Sequence, residues 1–110
     1  MTEKYEKDGM VAVLYSPGFG AGWSTWAMNS FGLGDDVERM IFDPELVAAV
    51  LEGNRPKMYA IVKDHFPGQY DGGVEDLAVK WVDKGDRFEI TEYDGSESVR
   101  IFGEKPGYVA

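Results

Sequence analysis

The 110-residue sequence contains no cysteine and only one histidine, His65. Without cysteine the chain cannot form disulfide bonds, a cysteine-ligated zinc site or a thiol nucleophile. A Ser-His-Asp triad would have to use His65, and no G-x-S-x-G nucleophile elbow is present. We interpret His65 as a residue at a helix end rather than as a catalytic base. These absences exclude thiol chemistry and argue against a triad hydrolase.

Positive charge is also scarce, with 11 basic residues against 20 acidic ones and a net charge of -9. Such a surface repels phosphate backbones and anionic lipids, so we expect neither nonspecific nucleic-acid binding nor membrane association. The N-terminus is polar and no apolar run is long enough to span a bilayer, which predicts a cytoplasmic protein. The negative charge fits three roles: solubility, attraction of a basic partner protein, or mimicry of nucleic acid.

The hydrophobic fraction of 44% is sufficient for a packed core. We expect a single domain over residues 1–110, with a loose leader at 1–8, a short turn-rich tail at 103–110 and no internal repeat. A domain of this size is close to the lower limit for independent stability, so we expect a homo-oligomer.

Apolar spacing and turn residues predict the order of the secondary structure. The expected elements are a buried strand at 10–15, helices at 35–42, from Pro44 to a stop at Gly53 and from Pro56 to His65, and strands at 77–82, 87–93 and 96–102. This order predicts an α+β fold: an N-terminal strand, two or three helices and a three-stranded antiparallel meander. We expect the strands to form one sheet with the helices on one face.

The most distinctive segment places Gly18, Gly20 and Gly22 directly before Trp23-Ser24-Thr25-Trp26. Glycine lets backbone approach a ligand, so the N–H groups could cradle an anion, while a tryptophan could stack on a ring. The spacing matches neither G-x-x-x-x-G-K-[ST] nor G-x-G-x-x-G, so no standard phosphate loop is present. The alternatives are that both tryptophans anchor the loop to the core, or that one is buried and the other exposed.

A second polar segment spans residues 92–98, where Asp94-Gly95 predicts a tight hairpin turn. Tyr93, Asp94 and Ser96 could bond the hydroxyls of a ligand, although a solvated turn explains the same composition. Glu92 and Glu97 could form an acid/base pair or hold a hard cation, but acidic spacing alone is a weak signal.

We therefore predict one ligand-binding surface built from the two segments. Its residues are Gly18, Phe19, Gly20, Gly22, Trp23, Ser24, Thr25, Trp26, Tyr93, Asp94 and Ser96. We predict no catalytic residue, metal or cofactor. Convergence of basic residues on the glycine loop would create a pocket for an anion, although each could equally be an ordinary surface charge. These basic residues are Arg39, Arg55, Lys57, Arg87 and Arg100.

Three motifs, at residues 15–26, 73–77 and 88–98, resemble those of a family of small proteins encoded by phages and prophages. The resemblance covers about residues 10–102. It implies a protein that acts in the cytoplasm of a host bacterium. Small non-catalytic phage proteins include sponges, which sequester nucleotide signals of bacterial immunity, and acidic inhibitors of host proteins.

Our leading hypothesis is a non-enzymatic, phage-encoded sponge for a nucleotide immune signal. Loop amides would hold phosphate, a tryptophan would stack on the base, and Ser24, Thr25 or the 93–96 turn would bond the ribose. The alternative is an acidic inhibitor of a host defence protein, in the manner of a nucleic-acid mimic. A third hypothesis is an enzyme that acts on a nucleotide or sugar through Glu92, Asp94 and Glu97.

Overall fold

The computed structural model describes residues 3–18, 22–26, 34–66, 73–101 and 108–110. The strands are β1 (Glu6–Lys7), β2 (Met10–Tyr15), β3 (Ala78–Asp83), β4 (Arg87–Tyr93), β5 (Ser96–Ile101) and β6 (Tyr108–Val109). The helices are α1 (Gly34–Phe42), α2 (Pro44–Glu52) and α3 (Arg55–His65), with short 3-10 turns at Ser24–Trp26 and Val74–Asp76. The α+β class is confirmed, and the predicted strand and helix bounds agree with these within one or two residues.

The strands form two antiparallel sheets of three strands each, ordered β1-β2-β3 and β5-β4-β6. The predicted β4–β5 hairpin is present, but β3 pairs with β2 instead of continuing into a meander. The reason lies at the opposite edge of β4, where Phe88 pairs with Tyr108 of β6. The turn before β4 holds the C-terminus there, because Gly85 N donates to the carbonyl of Ala110 at 2.7 Å. The expected single sheet is therefore replaced by two.

Both chain ends take part in these sheets. Residues 6 and 7, expected in a loose leader, form β1 and pair with β2 across a turn at Asp8-Gly9. Both turn residues have positive φ, 54° and 77°, the geometry of a tight two-residue hairpin. Residues 108 and 109, expected in the tail, form β6, and Ala110 is buried. Residues 1–2 and 102–107 lie outside the described part of the chain.

Strand β2 is buried on both faces and forms the centre of the molecule. Ala12 and Leu14 belong to a core cluster with residues of α2 and α3. Val11 and Val13 belong to a second cluster that contains Phe88 of β4. Side chains alternate between the two faces of a strand, so one face of β2 packs on helices and the other on the second sheet. The unbroken apolar run at 10–15 is the sequence signature of this double burial.

The helix ends follow the predicted chemistry. The Asp43 carboxylate accepts hydrogen bonds from Glu45 N and Leu46 N at 3.0 and 3.1 Å, and Pro44 takes the first helical position. Gly53 ends α2 in the left-handed conformation, with φ 69°. These caps position α2 and α3 against β2. No helix in the ranges that the structure describes is long and apolar enough to cross a membrane.

Candidate functional site

The glycine-rich loop and the β4–β5 hairpin lie against each other, although about 70 residues separate them in sequence. Ser96 Oγ donates to the carbonyl of Pro17 at 2.7 Å. Glu97 N donates to the carbonyl of Ser16, also at 2.7 Å. These bonds bring together the two segments in which sequence reasoning placed the ligand-binding residues.

The junction between loop and hairpin is filled by the side chain of Glu97, which is 1% exposed. Its Oε1 accepts a hydrogen bond from Ser16 N at 2.8 Å. Its Oε2 accepts bonds from Trp23 N at 2.8 Å, Thr25 N at 2.9 Å and Thr25 Oγ1 at 2.5 Å. Four donors therefore converge on one carboxylate, which offsets the cost of removing its charge from water. In this structure these amides hold an anion of the protein itself.

Sequence reasoning missed this role of Glu97, although a signal for it was present. Glu97 and Val99 are two residues apart on β5, so their side chains lie on the same face of the strand. Val99 packs against the second core cluster, which directs Glu97 inward as well. A carboxylate on an apolar face requires donors nearby. Only the fold shows that Ser16, Trp23 and Thr25 supply them.

Trp23 belongs to the core, with 0% exposure. Its indole Nε1 donates to the carbonyl of Met40 at 2.7 Å, and its ring meets Phe66 edge-on at 5.8 Å between centroids. The ring therefore has no free face on which a base could stack, and the anchoring alternative describes this residue. Ser24 is also buried, at 6% exposure.

The remaining loop residues differ in exposure. Thr25 is exposed, but its hydroxyl is bonded to Glu97. Gly22 is buried. A Cβ at Gly18 would collide with the side chain of Asp76, so the absence of a side chain lets the loop pack on the Val74–Asp76 turn. Phe19, Gly20 and the side chain of Trp26 lie outside the described atoms.

Among the predicted surface residues that the structure describes, Tyr93 at the hairpin tip is a large and exposed hydrophobic residue. Tyr93 is 74% exposed, and Asp94 and Gly95 have φ of 50° and 85°, as a tight hairpin turn requires. Glu92 lies opposite Glu97 in the strand register, but Glu97 is enclosed by its donors. Among the residues described, no group of three or more acidic or histidine side chains is arranged to hold a metal ion.

A second candidate site, which sequence reasoning missed, is a cleft of about 1010 Å³. We call it the acidic cleft. Its charged lining consists of the acidic residues Glu3, Glu6, Glu38, Asp43 and Glu45, the basic residues Lys4, Arg39 and Lys84, and His65. Of the scattered basic residues, Arg39 thus lines this cleft.

The basic side chains of the acidic cleft contact other groups of the chain. Lys84 Nζ lies 3.0 Å from Glu6 Oε1. Lys4 Nζ donates to the carbonyl of Val109 at 2.9 Å and lies 4.9 Å from the centroid of the Phe42 ring. The guanidinium of Arg39 lies 5.7 Å from the centroid of the ring of Phe66, the C-cap residue of α3. The lining carries five carboxylates against three lysine or arginine side chains and His65, so its negative charge is in excess.

His65 joins the end of α3 to the start of α2 at one wall of this cleft. Its Nδ1 lies 2.6 Å from Asp43 Oδ2, and its Nε2 lies 3.1 Å from Glu45 Oε2. The hydrogen bond to Asp43 raises the pKa of His65. Desolvation opposes this rise, and the negative charges of Asp43, Glu45 and Asp64 reinforce it. Asp43 thus caps α2 with one carboxylate oxygen and binds the imidazole with the other.

A comparison with protein-family models, curated proteins and solved structures found no match to this chain. Function is therefore inferred from the geometry of the chain itself.

Proposed function

We propose that the protein is a non-enzymatic binding protein whose acidic cleft receives a positively charged segment of a partner protein. A phage-encoded inhibitor of a host defence protein would act in this way. The observation that carries the proposal is the composition of the cleft, in which five carboxylates outnumber three lysine or arginine side chains and His65. Low-dielectric walls focus such a field and attract the opposite charge.

The size of the cleft is sufficient for the side chains of a peptide segment. Small-molecule pockets range over about 300–1,000 Å³, and the cleft, at about 1010 Å³, lies at the top of that range. The ion pair between Lys84 and Glu6 cancels one charge of each sign in the cleft, and Lys4 donates to a backbone carbonyl. The net charge of -9 would steer a basic partner toward the protein.

The nucleotide-sponge hypothesis has less support from the described geometry. The hypothesis assigns phosphate to amides of the loop, and two amides at the end of the loop, Trp23 N and Thr25 N, are bonded to Glu97. Its stacking surface would include Trp23, which is buried. A nucleotide that used these two amides would have to displace a carboxylate held by four hydrogen bonds. We therefore treat a nucleotide ligand as the competing outcome of the experiment below.

The proposal is tested by titrating the protein with a fluorescent peptide of about nine residues that alternates arginine and serine. Anisotropy is read at about 50 mM and about 200 mM NaCl. The double variant Glu38→Gln/Glu45→Gln removes two charges from the acidic cleft. The matched control Glu52→Gln/Glu75→Gln removes two exposed charges that do not line it. Sedimentation equilibrium on the same samples gives the protomer count, for which we propose a homo-oligomer.

The expected result is that the cleft variant weakens peptide binding at least about fivefold more than the control. Equal weakening by both variants would mean that net charge alone attracts the peptide, and the proposal would fail. Calorimetry against cyclic dinucleotides and cyclic ADP-ribose isomers runs in parallel. Heat from a nucleotide, with no cleft-dependent peptide binding, would favour the sponge instead.

A further inference from the structure

The glycine-rich loop contains a second site, independent of the acidic cleft. We propose that Ser16 N, Trp23 N, Thr25 N and Thr25 Oγ1 form a receptor for a small carboxylate, which we call the carboxylate site. In the native chain Glu97 occupies it. When that side chain is absent, the site binds a free carboxylate such as acetate.

Two of the donors, Ser16 N and Trp23 N, are positioned by contacts that do not involve the side chain of Glu97. Ser16 directly follows β2, whose last residue, Tyr15, pairs with Ala78 of β3. Trp23 is fixed through its own ring, which is fully buried and bonded to the carbonyl of Met40. We expect Ser16 N and Trp23 N to retain their positions when the carboxylate is removed, and such preorganisation lets a site bind a ligand without a large ordering cost.

The chemistry of the site selects a carboxylate. Its four donors divide between two acceptor oxygens, one bond to Oε1 and three to Oε2. A carboxylate presents two such oxygens in one plane with enough lone pairs for these bonds. The carboxylate in the native site is shielded from solvent, because Glu97 is 1% exposed, so a charge-assisted bond there is stronger than in water. Chloride is a single atom, so it cannot accept hydrogen bonds at the two separate positions that the carboxylate oxygens occupy.

The size of the missing group defines the ligand for each variant. Glu97→Ala removes the terminal methylene and the carboxylate, which together correspond to acetate. Glu97→Gly removes one further carbon, so propionate is the matching ligand. Glu97→Gln retains the shape of the side chain and fills the site, so no free carboxylate can enter. Its amide NH2 faces backbone N–H groups, and those groups cannot accept a hydrogen bond.

The experiment measures thermal unfolding of Glu97→Ala by circular dichroism in sodium acetate and in sodium chloride at equal ionic strength. We expect the variant to melt at least about 10 °C below the wild type in chloride, because buried donors lose their acceptor. Acetate should restore a saturable part of this loss, while the wild type and Glu97→Gln show no specific response. The Glu97→Gly variant should respond more to propionate than to acetate.

If Glu97→Ala is unfolded in chloride, recovery of the folded spectrum on adding acetate is the readout. Amide resonances of Ser16, Trp23 and Thr25 should shift with the same acetate dependence, which a general salt effect would not produce. Failure of acetate to restore stability, or equal restoration by chloride, would overturn the proposal. The acidic cleft contains none of these residues, so this result leaves the proposed function untouched.

Discussion

Thr25 Oγ1 lies 2.5 Å from Glu97 Oε2, although 72 residues separate them in the sequence. This bond, with the backbone bonds to the same carboxylate, joins the loop after β2 to the hairpin of the second sheet. Loop and hairpin therefore form one structural unit. Packing of the loop against the hairpin therefore explains part of the unusual composition of the loop without a ligand.

Replacement of Thr25 by valine should test the contribution of the hydroxyl. Thr25→Val removes one donor to a buried carboxylate and retains the shape, so we expect a loss of about 1–3 kcal/mol in the free energy of unfolding. Thr91→Val is the control, since that exposed hydroxyl has only a 3.5 Å contact to Ser98 O, and it should change stability by less than about 0.5 kcal/mol. Urea denaturation measures both. Equal effects would contradict a special role for Thr25.

Substitution of Gly18 should reveal how closely the loop packs on the Val74–Asp76 turn. The added Cβ in Gly18→Ala meets the Asp76 side chain, so we expect a loss of about 1–3 kcal/mol. In the double variant Gly18→Ala/Asp76→Ala the obstructing carboxylate is gone, and part of the loss should be regained. A double-mutant cycle by denaturation gives the coupling. Strict additivity would show that the two residues are not in contact.

Trp23→Phe should separate the core role of this tryptophan from a binding role. The variant loses the bond to the carbonyl of Met40 and part of a fully buried ring, for which we expect a cost of about 2–4 kcal/mol. Trp81→Phe, at a half-buried position, should cost less. Acrylamide quenching provides a second measure, because the fluorescence lost with Trp23 should be the shielded component. If Trp23→Phe left the free energy of unfolding unchanged, the result would contradict the complete burial of Trp23.

The interaction of His65 with Asp43 predicts how stability varies with pH. The pKa of His65 is raised above 6.5 in the folded state, so the folded protein binds the proton more tightly than the unfolded chain does. The resulting stabilisation is complete below about pH 6.5 and is lost as the pH rises through the folded-state pKa. The free-energy gap between wild type and His65→Gln should therefore be larger at about pH 5.5 than at about pH 8.5. A free-energy gap that grows with pH would contradict a raised pKa of His65 in the folded state.

Much of the local structure could be predicted because local chemistry decides it. The Asp43-Pro44 start of α2, its stop at Gly53 and the Asp94-Gly95 turn depend on contacts within a few residues. The apolar run of β2 likewise indicated a strand buried on both sides. Sheet pairing was not local: β3 pairs with β2, and β6, further along the chain, pairs with the start of β4.

The sequence by itself determined the α+β class, the helix ends, the hairpin and the acidic balance, since these follow from spacing, caps and composition. The tertiary structure alone decided what the glycine-rich loop holds. The Trp23 amide and the Glu97 carboxylate are 74 residues apart, and no local pattern encodes such a pairing. Burial of that carboxylate requires donors from a distant segment, and the fold brings the loop to the carboxylate.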